Sequence, residues 1–239
     1  MASILIKRKF VLSIAKIIFY RYIISIDLRN NFKMKLAVFD FDSTLMDGET
    51  LDIIAKETDY YEEVKKITEK GMKGEIDFFE SLTSRVALLE GMRLKKVNEI
   101  CASLPIMNGA KETIEELKKK EYKCVCFSGG FKNATSIFVQ KLGLDGEFSN
   151  IFHTKNNILT GKVGGEMMFA DSKGNMLLAL QKLLDISHDD TLVVGDGAND
   201  LSMFKYSKNR VAFCSKEILK KEANIIIDEK DLRLILDKL

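Results

Sequence analysis

The sequence of 239 residues lacks the features that define several protein classes. It has a single proline, Pro105, and therefore no proline-rich linker. Its two histidines and its four cysteines, which form no CxxC pair, do not have the spacing of a zinc site. The apolar run at 10–26 is interrupted by Lys16 and Arg21, each costing roughly 2.5 to 3.5 kcal/mol at the centre of a bilayer, so we expect no membrane-spanning helix. Few, reduced cysteines are typical of a cytoplasmic protein.

The two signs of charge are nearly balanced, with 37 basic and 35 acidic residues, but they are unevenly distributed. Residues 1–33 hold seven basic side chains and one acidic side chain, a net charge of +6. The remaining 30 basic and 34 acidic residues give residues 34–239 a net charge of −4. We therefore expect no nucleic-acid-binding surface over the main part of the chain.

Residues 1–33 have two interpretations. A basic helix resting on anionic lipid would suit four residues that recur at helical spacing: Lys9, Ser13, Lys16 and Tyr20. Alternatively, the segment is an appendage outside the fold, because Met34 directly precedes the first predicted strand and could be the true start. We favour the appendage. The run is followed by no small-residue cleavage site, which argues against a secretory signal.

Short apolar runs bounded by polar residues predict buried strands. They lie at 35–40, 122–128, 191–196, 210–214 and 224–228. Helical patterns separate them, at 111–120, 132–142, 173–185, 200–207, 216–223 and 231–238. This alternation predicts an α/β fold with a doubly wound, mainly parallel sheet and helices on both faces. Ligands of such sheets bind at the carboxyl ends of the strands.

Two segments interrupt this alternation. Between the first two strands, helical patterns at 49–58, 61–70, 77–91 and 94–104 predict a helical cap inserted after the first strand. Residues 150–165 predict a β-hairpin with its turn near Asn156 and Asn157. We therefore predict three parts: an N-terminal extension at 1–33, a cap at 47–106, and a core formed by 34–46 and 107–239.

Three predicted strands end in clusters of polar residues. After the first strand, Asp40 and Asp42 point to the same side, and two such carboxylates repel unless they share a cation or a proton. After the second, Ser128 precedes two glycines, whose backbone N–H groups can approach an anion. After the third, GDGAND places Asp196, Asn199 and Asp200 within five positions, a set of oxygen ligands that suits Mg²⁺. Each cluster alone is also compatible with turns or helix caps.

Taken together and in order, the clusters and a lysine in Ser172-Lys173-Gly174 resemble the four motifs of the haloacid dehalogenase superfamily of phosphotransferases. Within it, DFDSTLMDGET, GMKGEIDFFESLTSRV, SGGF and GDGANDLSMF resemble the phosphoserine phosphatase family. The resemblance covers 34–239. It implies hydrolysis of O-phospho-L-serine to L-serine and phosphate through an aspartyl-phosphate, the last step of serine biosynthesis.

The resemblance also implies catalytic roles. Asp40 would be the nucleophile, and Asp42 would first protonate the leaving oxygen and then activate water. Mg²⁺ would bind the Asp40 carboxylate, the Asp42 backbone carbonyl and Asp196, with Asp200 assisting directly or through water. Lys173 would offset the charge of the nucleophile as it meets an anionic ester.

The remaining roles concern substrate binding. Ser128 and the Gly129 N–H would hold the phosphoryl oxygens together with the lysine, and Asn199 would orient that lysine or a phosphate oxygen. In the cap, Glu49 would meet the substrate ammonium and Arg85 its carboxylate. The apolar lid over the closed site would consist of Met72 and Phe78.

Two alternatives share these motifs. One is a related phosphotransferase or small-molecule phosphatase that uses phosphoserine as donor to another alcohol. The other is a membrane-associated protein without catalysis, which is disfavoured because Asp40, Asp42, Lys173 and Asp196 are all present. We expect a small-molecule substrate, no nucleic acid, and a monomer or homodimer.

Overall fold

A computed structural model describes residues 34–239, and every structural statement below concerns this part of the chain. The interpretations given for residues 1–33 lie outside the described residues. Seven strands form one sheet in the order β4-β3-β2-β1-β5-β6-β7, and neighbouring strands are parallel except that β4 is antiparallel to β3. The strands are β1 Lys35–Phe39, β2 Tyr122–Phe131, β3 Gly146–Lys155, β4 Ile158–Gly165, β5 Thr191–Gly195, β6 Asn209–Phe213 and β7 Ile225–Ile227. The predicted α/β fold with a mainly parallel sheet is confirmed.

Helices connect the strands. The α-helices are α1 Thr50–Ala55, α2 Tyr61–Met72, α3 Phe78–Ala87, α4 Leu94–Ala102, α5 Ala110–Lys119, α6 Lys132–Leu142, α7 Ser172–Leu184, α8 Leu201–Phe204 and α9 Glu217–Lys220. Short 3-10 helices span His188–Asp190, Ala198–Asp200 and Leu232–Lys238. The helix predicted at 231–238 is thus a 3-10 helix, and the one predicted at 200–207 is shorter than expected.

The centre of the sheet is its most deeply buried part. Strand β1 lies between β2 and β5, and its residues Leu36 to Phe39 are fully buried. Both faces of such a strand are covered, which explains why its sequence is continuously apolar. Strands β2 to β4 extend the sheet on one side of β1, and strands β5 to β7 extend it on the other. The carboxyl end of β1 therefore lies at the point where the strand order reverses, which is where ligands bind in this architecture.

The second strand is longer than the sequence predicts. The expected end at Ser128 is wrong, because β2 continues through both glycines to Phe131, with irregular pairing to β3 between Phe127 and Phe131. Its partner β3 begins at Gly146, before the predicted hairpin, and supplies Asn150 opposite Phe131. Ser128, Gly129 and Gly130 therefore form an irregular part of β2, which lies beside β3.

The predicted hairpin is present. Strands β3 and β4 are antiparallel, and both residues of the connection, Asn156 and Asn157, have positive φ angles of 53° and 60°. Asparagine tolerates this conformation, which two-residue hairpin turns require. The hairpin extends the sheet at its edge instead of standing apart from it.

Helices α1 to α4 form an insertion whose first and last residues lie next to each other. Met46 and Ile106 form an antiparallel bridge. Beside it, the Asp47 N–H donates to the Pro105 carbonyl at 3.1 Å, and the Met107 N–H donates to the Leu45 carbonyl at 2.9 Å. The outgoing and returning chains thus run side by side at the point where the insertion leaves the core.

The inserted helices also contact the hairpin. The Gly91 N–H donates to the Leu159 carbonyl at 2.9 Å, and the Leu159 N–H donates to the Met92 carbonyl at 2.8 Å. The connection between α3 and α4 is therefore fastened to β4 by backbone hydrogen bonds. None of the helices within residues 34–239 combines the length and apolar character needed to cross a membrane.

Candidate active site

The predicted site residues gather where β1, β2 and β5 end and where the inserted helices cover the sheet. Nine of the twelve line one pocket: Asp40, Asp42, Glu49, Met72, Phe78, Arg85, Gly129, Asp196 and Asn199. The other three are buried: Ser128, Lys173 and Asp200. The fold therefore brings together residues that are up to 160 positions apart in the sequence.

A buried lysine links two of the carboxylates. Lys173, in the first turn of α7, places its Nζ 2.6 Å from Asp40 Oδ1 and 2.5 Å from Asp200 Oδ1. Burial alone would lower the pKa of Lys173, but the two carboxylates outweigh it and raise this pKa. The lysine therefore stays cationic beside the residue predicted to be the nucleophile.

Asp200 acts as an anchor for the loop after β5. Its Oδ2 accepts hydrogen bonds from the Asp196 N–H at 3.0 Å and the Gly197 N–H at 3.1 Å. A Cβ at Gly195 would lie 2.4 Å from Asp200 Cγ, so only glycine allows this approach. Because Lys173 contacts Oδ1, both carboxylate oxygens of Asp200 have partners. We therefore expect Asp200 to orient Lys173 and the loop that carries Asp196.

Three buried carboxylates form a cluster that fits a divalent cation. Oxygen atoms of Asp40, Asp196 and Asp200 lie within 4.8 Å of one another. Burial, followed by repulsion from Asp200, raises the pKa of Asp40 to about 7, and burial with repulsion from Asp40 raises that of Asp196 well above its usual range. One lysine compensates only part of this charge. The all-oxygen donor set and the remaining negative charge fit a hard cation such as Mg²⁺.

Asp42 is docked on the first turn of α1. Its Oδ1 accepts hydrogen bonds from the Thr50 N–H at 2.8 Å and from Thr50 Oγ1 at 2.5 Å. Burial raises the pKa of Asp42, and these two hydrogen bonds oppose the increase. The sequence pattern does not mark Thr50 as a site residue, because a threonine at a helix start is expected to cap its own helix.

The far end of the pocket carries one acidic and one basic side chain. Glu49 Oε1 accepts a hydrogen bond from Ser43 Oγ at 2.7 Å, and burial followed by repulsion from Asp42 raises the pKa of Glu49 to about 8. Arg85 donates from Nε to the Ser81 carbonyl at 3.1 Å and from Nη1 to Thr68 Oγ1 at 3.2 Å. Both side chains are half-buried and line the pocket, so they are not an exposed surface pair.

The irregular stretch of β2 meets the inserted helices directly. A Cβ at Gly129 would lie 2.5 Å from Phe78 Cζ, so the ring packs on bare backbone. The adjacent Phe79 stacks on Phe169, with ring centroids 5.4 Å apart. The start of α3 therefore covers the strand end that carries Ser128 and Gly129.

Asn150 is a second residue of the site that is not predicted from the sequence. Its Nδ2 donates to the Gly129 carbonyl at 3.0 Å and to the Met167 carbonyl at 2.9 Å, and its Oδ1 accepts from the Met167 N–H at 3.0 Å. This fully buried amide fixes the glycine peptide against the segment that leads to α7. No motif marks it, since its partners lie 17 and 21 positions away.

This geometry agrees with the comparisons with known proteins. The model of haloacid dehalogenase-like hydrolases matches residues 34–208. The chain belongs to the haloacid dehalogenase-like hydrolase family. Among relatives of this family, a phosphoserine phosphatase of Wolinella succinogenes is 64% identical over 203 residues, which are 85% of this chain and 98% of that protein.

Two solved structures of the haloacid dehalogenase-like hydrolase fold also match closely. One is described as a phospho-aspartyl intermediate analogue of phosphoserine phosphatase, with a TM-score of 0.85, 46% identity, and coverage of 87% of this chain and all of that one. The other is a substrate-bound phosphoserine phosphatase complex, with a TM-score of 0.85, 45% identity and the same coverage.

Proposed function

We propose that this chain is a phosphoserine phosphatase that hydrolyses O-phospho-L-serine to L-serine and phosphate. The observation that carries the proposal is that Glu49 and Arg85 line the same pocket as Asp40. A zwitterionic amino acid needs one acidic and one basic group to bind it, and a phosphoester needs a nucleophile beside a fixed positive charge. The pocket supplies all of these, and the phosphoserine phosphatase of Wolinella succinogenes matches the chain over 98% of its own length.

In the first step, the Asp40 carboxylate attacks phosphorus while the bond from phosphorus to the serine oxygen breaks. Lys173 and the Phe41 N–H donate to Asp40 Oδ1, at 2.6 and 2.7 Å, and so fix the orientation of the attacking carboxylate. Asp42, in its protonated form, gives its proton to the leaving serine oxygen. Burial favours that form, because it raises the pKa of Asp42.

In the second step, water hydrolyses the aspartyl-phosphate. Asp42 now accepts a proton from the attacking water, the bond from phosphorus to Asp40 breaks, and phosphate is released. Ser128, the Gly129 N–H and Lys173 hold the phosphoryl oxygens through both steps. Asn199, which lines the pocket, orients Lys173 or a phosphoryl oxygen. Met72 and Phe78 exclude bulk water, which would otherwise weaken these charge interactions.

Magnesium is the cofactor of the proposed reaction. Asp40, the Asp42 backbone carbonyl and Asp196 would hold it, and Asp200 would support them through its two bound backbone N–H groups. When bound, the cation neutralises charge on the phosphoryl group and on the clustered carboxylates. Its binding should therefore be visible as a change in protein stability, independently of turnover.

The first prediction concerns this stabilisation. A ligand at about 100 times its Kd adds about 2.7 kcal/mol, which for a domain of this size raises Tm by roughly 5 to 10 °C. We expect Mg²⁺ to produce such a shift in the wild type and little shift in Asp196→Asn. In chelator, the variant should be at least as stable as the wild type, because one of the repelling charges is gone.

Differential scanning fluorimetry with and without Mg²⁺ measures these shifts. Asp189→Asn is a matched control, because Asp189 is exposed and lies outside the pocket. An equal Mg²⁺ shift in Asp196→Asn and in the wild type would mean that the cation binds elsewhere.

The second prediction concerns substrate choice. In Arg85→Ala, the substrate carboxylate loses its cation, and we expect kcat/KM for O-phosphoserine to fall roughly 100-fold or more, as for the loss of one partner of a buried charge pair. Hydrolysis of p-nitrophenyl phosphate, which has no carboxylate, should change much less. Steady-state kinetics on both substrates measures the difference, and Arg93→Ala, in the loop before α4, serves as the control. A similar fall on both substrates would remove Arg85 from substrate recognition.

The proposed function itself is tested by phosphate release from phospho-amino acids, sugar phosphates and nucleotides, with Mg²⁺ or with chelator. We expect O-phosphoserine to give the highest kcat/KM and chelator to abolish the activity. Adding an alcohol acceptor and analysing the products separates hydrolysis from phosphoryl transfer. A sugar phosphate or nucleotide as the preferred substrate would overturn the proposal.

A further inference from the structure

One pocket side chain carries a fully buried hydroxyl without a hydrogen-bond partner among the described residues. Among residues 34–239, the buried side-chain nitrogen and oxygen atoms without such a partner are Thr44 Oγ1, Ser81 Oγ, Thr113 Oγ1 and Arg210 Nε. Only Ser81 lines the pocket, and it is 1% exposed. A buried hydroxyl without a partner costs free energy, so it needs an explanation.

The hydroxyl of Ser81 does not use the partner that its own helix offers. Thr83, two residues later on α3, donates from Oγ1 to the Phe79 carbonyl at 2.7 Å, the usual local bond for a hydroxyl on a helix. The corresponding carbonyl for Ser81 is that of Asp77, which accepts only the Ser81 backbone N–H. The Ser81 hydroxyl is left available inside the pocket.

A glycine on the facing helix makes room for this hydroxyl. A Cβ at Gly71 would lie 2.5 Å from Ser81 Oγ, so no other residue type fits there without movement. Gly71 lies within α2, where glycine is unfavourable relative to alanine. Helix α2 thus carries an unfavourable residue at the same point where α3 carries an unpaired hydroxyl.

Ser81 lies on the same side of α3 as Arg85. Residues four positions apart share a helix face, and both side chains line the pocket. Arg85 is anchored to the Ser81 backbone through Nε and to Thr68 through Nη1, and its Nη2 has no hydrogen bond from the described residues. A hydroxyl donor next to a free guanidinium N–H group forms a site for a carboxylate.

We infer that the Ser81 hydroxyl is a further specificity determinant, which donates a hydrogen bond to the substrate carboxylate bound by Arg85. The inference rests on the proposed function and deepens it by assigning a second group to the same carboxylate. The substrate then supplies the partner that the hydroxyl lacks in the free protein. A substrate without a carboxylate leaves the hydroxyl unpaired and gains nothing from it.

The test compares Ser81→Ala with the wild type on O-phosphoserine and on O-phosphoethanolamine, which keeps the ammonium and lacks the carboxylate. We expect kcat/KM for O-phosphoserine to fall about tenfold or more, as for a lost hydrogen bond to a charged group, while that for O-phosphoethanolamine stays the same. In the absence of substrate, the variant should melt at the same temperature as the wild type or higher, since it loses only an unpaired hydroxyl. Ser84→Ala, on the same helix but outside the pocket, is the matched control and should match the wild type on both substrates.

The outcomes separate this inference from the proposed function. If the wild type prefers O-phosphoserine and Ser81→Ala keeps that preference, the inference is wrong and the proposed function stands. If Ser81→Ala lowers kcat/KM equally for both substrates, or lowers Tm in the absence of substrate, the hydroxyl stabilises the fold instead of selecting the substrate. The inference is then also wrong. If the wild type hydrolyses O-phosphoserine no faster than O-phosphoethanolamine, the proposed function fails and the inference fails with it.

Discussion

Replacing Asp40 by asparagine should lower kcat by roughly 10⁴-fold or more and abolish the covalent phosphoenzyme. The amide keeps the shape of the carboxylate but is a far weaker nucleophile. It also removes one of the three clustered carboxylates and the charge that Lys173 contacts at 2.6 Å. Initial rates of phosphate release, with intact-mass analysis of acid-quenched enzyme, measure both effects.

Asp47→Asn is the matched control for this experiment. Asp47 lies seven positions further on, is exposed, and pairs with Lys230 on the surface at 2.5 Å. We expect activity close to that of the wild type, because surface ion pairs contribute little. If Asp40→Asn, verified as folded by circular dichroism, keeps more than a small fraction of the activity, or still acquires a phosphoryl group, another residue is the nucleophile.

The centre of the fold could be predicted from the sequence because its pattern is local. Strands β1 and β5 are covered on both faces, so each is a short, mainly apolar run, followed directly by Asp40 or Asp196. Parallel topology then brings the ends of neighbouring strands to one edge. The main acidic cluster of the site follows from these two observations.

The irregular end of β2 could not be predicted in the same way. Ser128 and the two glycines after it are typical of a turn, and they form a strand only because β3 supplies a partner that starts at Gly146. The sequence pattern places most of that partner in the hairpin at 150–165. The conformation of this segment depends on pairing with a strand that lies further along the chain, so the residues around Ser128 do not reveal it.

Three polar residues of the site were also missed, for a common reason. Thr50, Ser81 and Asn150 are ordinary polar residues in ordinary elements, without a motif around them. Their significance comes from what lies opposite: the Asp42 carboxylate, the bare backbone of Gly71, and the Gly129 carbonyl. Such contacts join elements that are distant in the sequence, and only the folded chain shows them.

The prediction with the largest effect on stability concerns Lys173. Lys173→Met keeps much of the volume but leaves Asp40 and Asp200 buried without their cation. Removing one partner of a buried pair costs about 3 to 5 kcal/mol, and we expect a loss of that size in the free energy of unfolding in metal-free buffer. Activity should fall roughly 10³-fold or more, because the carboxylate nucleophile would then meet an anionic ester without the compensating charge.

The pH dependence of this loss tests its electrostatic origin. Burial and the neighbouring carboxylate already raise the pKa of Asp40 to about 7, and loss of the lysine raises it further above the unfolded value. The folded variant therefore binds more protons than the unfolded chain and gains stability as the pH falls. The difference in unfolding free energy between wild type and variant should therefore narrow from pH 8 to pH 6 in urea titrations. Lys182 is exposed on the same helix, and Lys182→Met should have the same free energy of unfolding as the wild type. A loss in Lys173→Met that stays constant with pH would indicate packing instead of charge, and the buried lysine would then not be the counter-ion of the nucleophile.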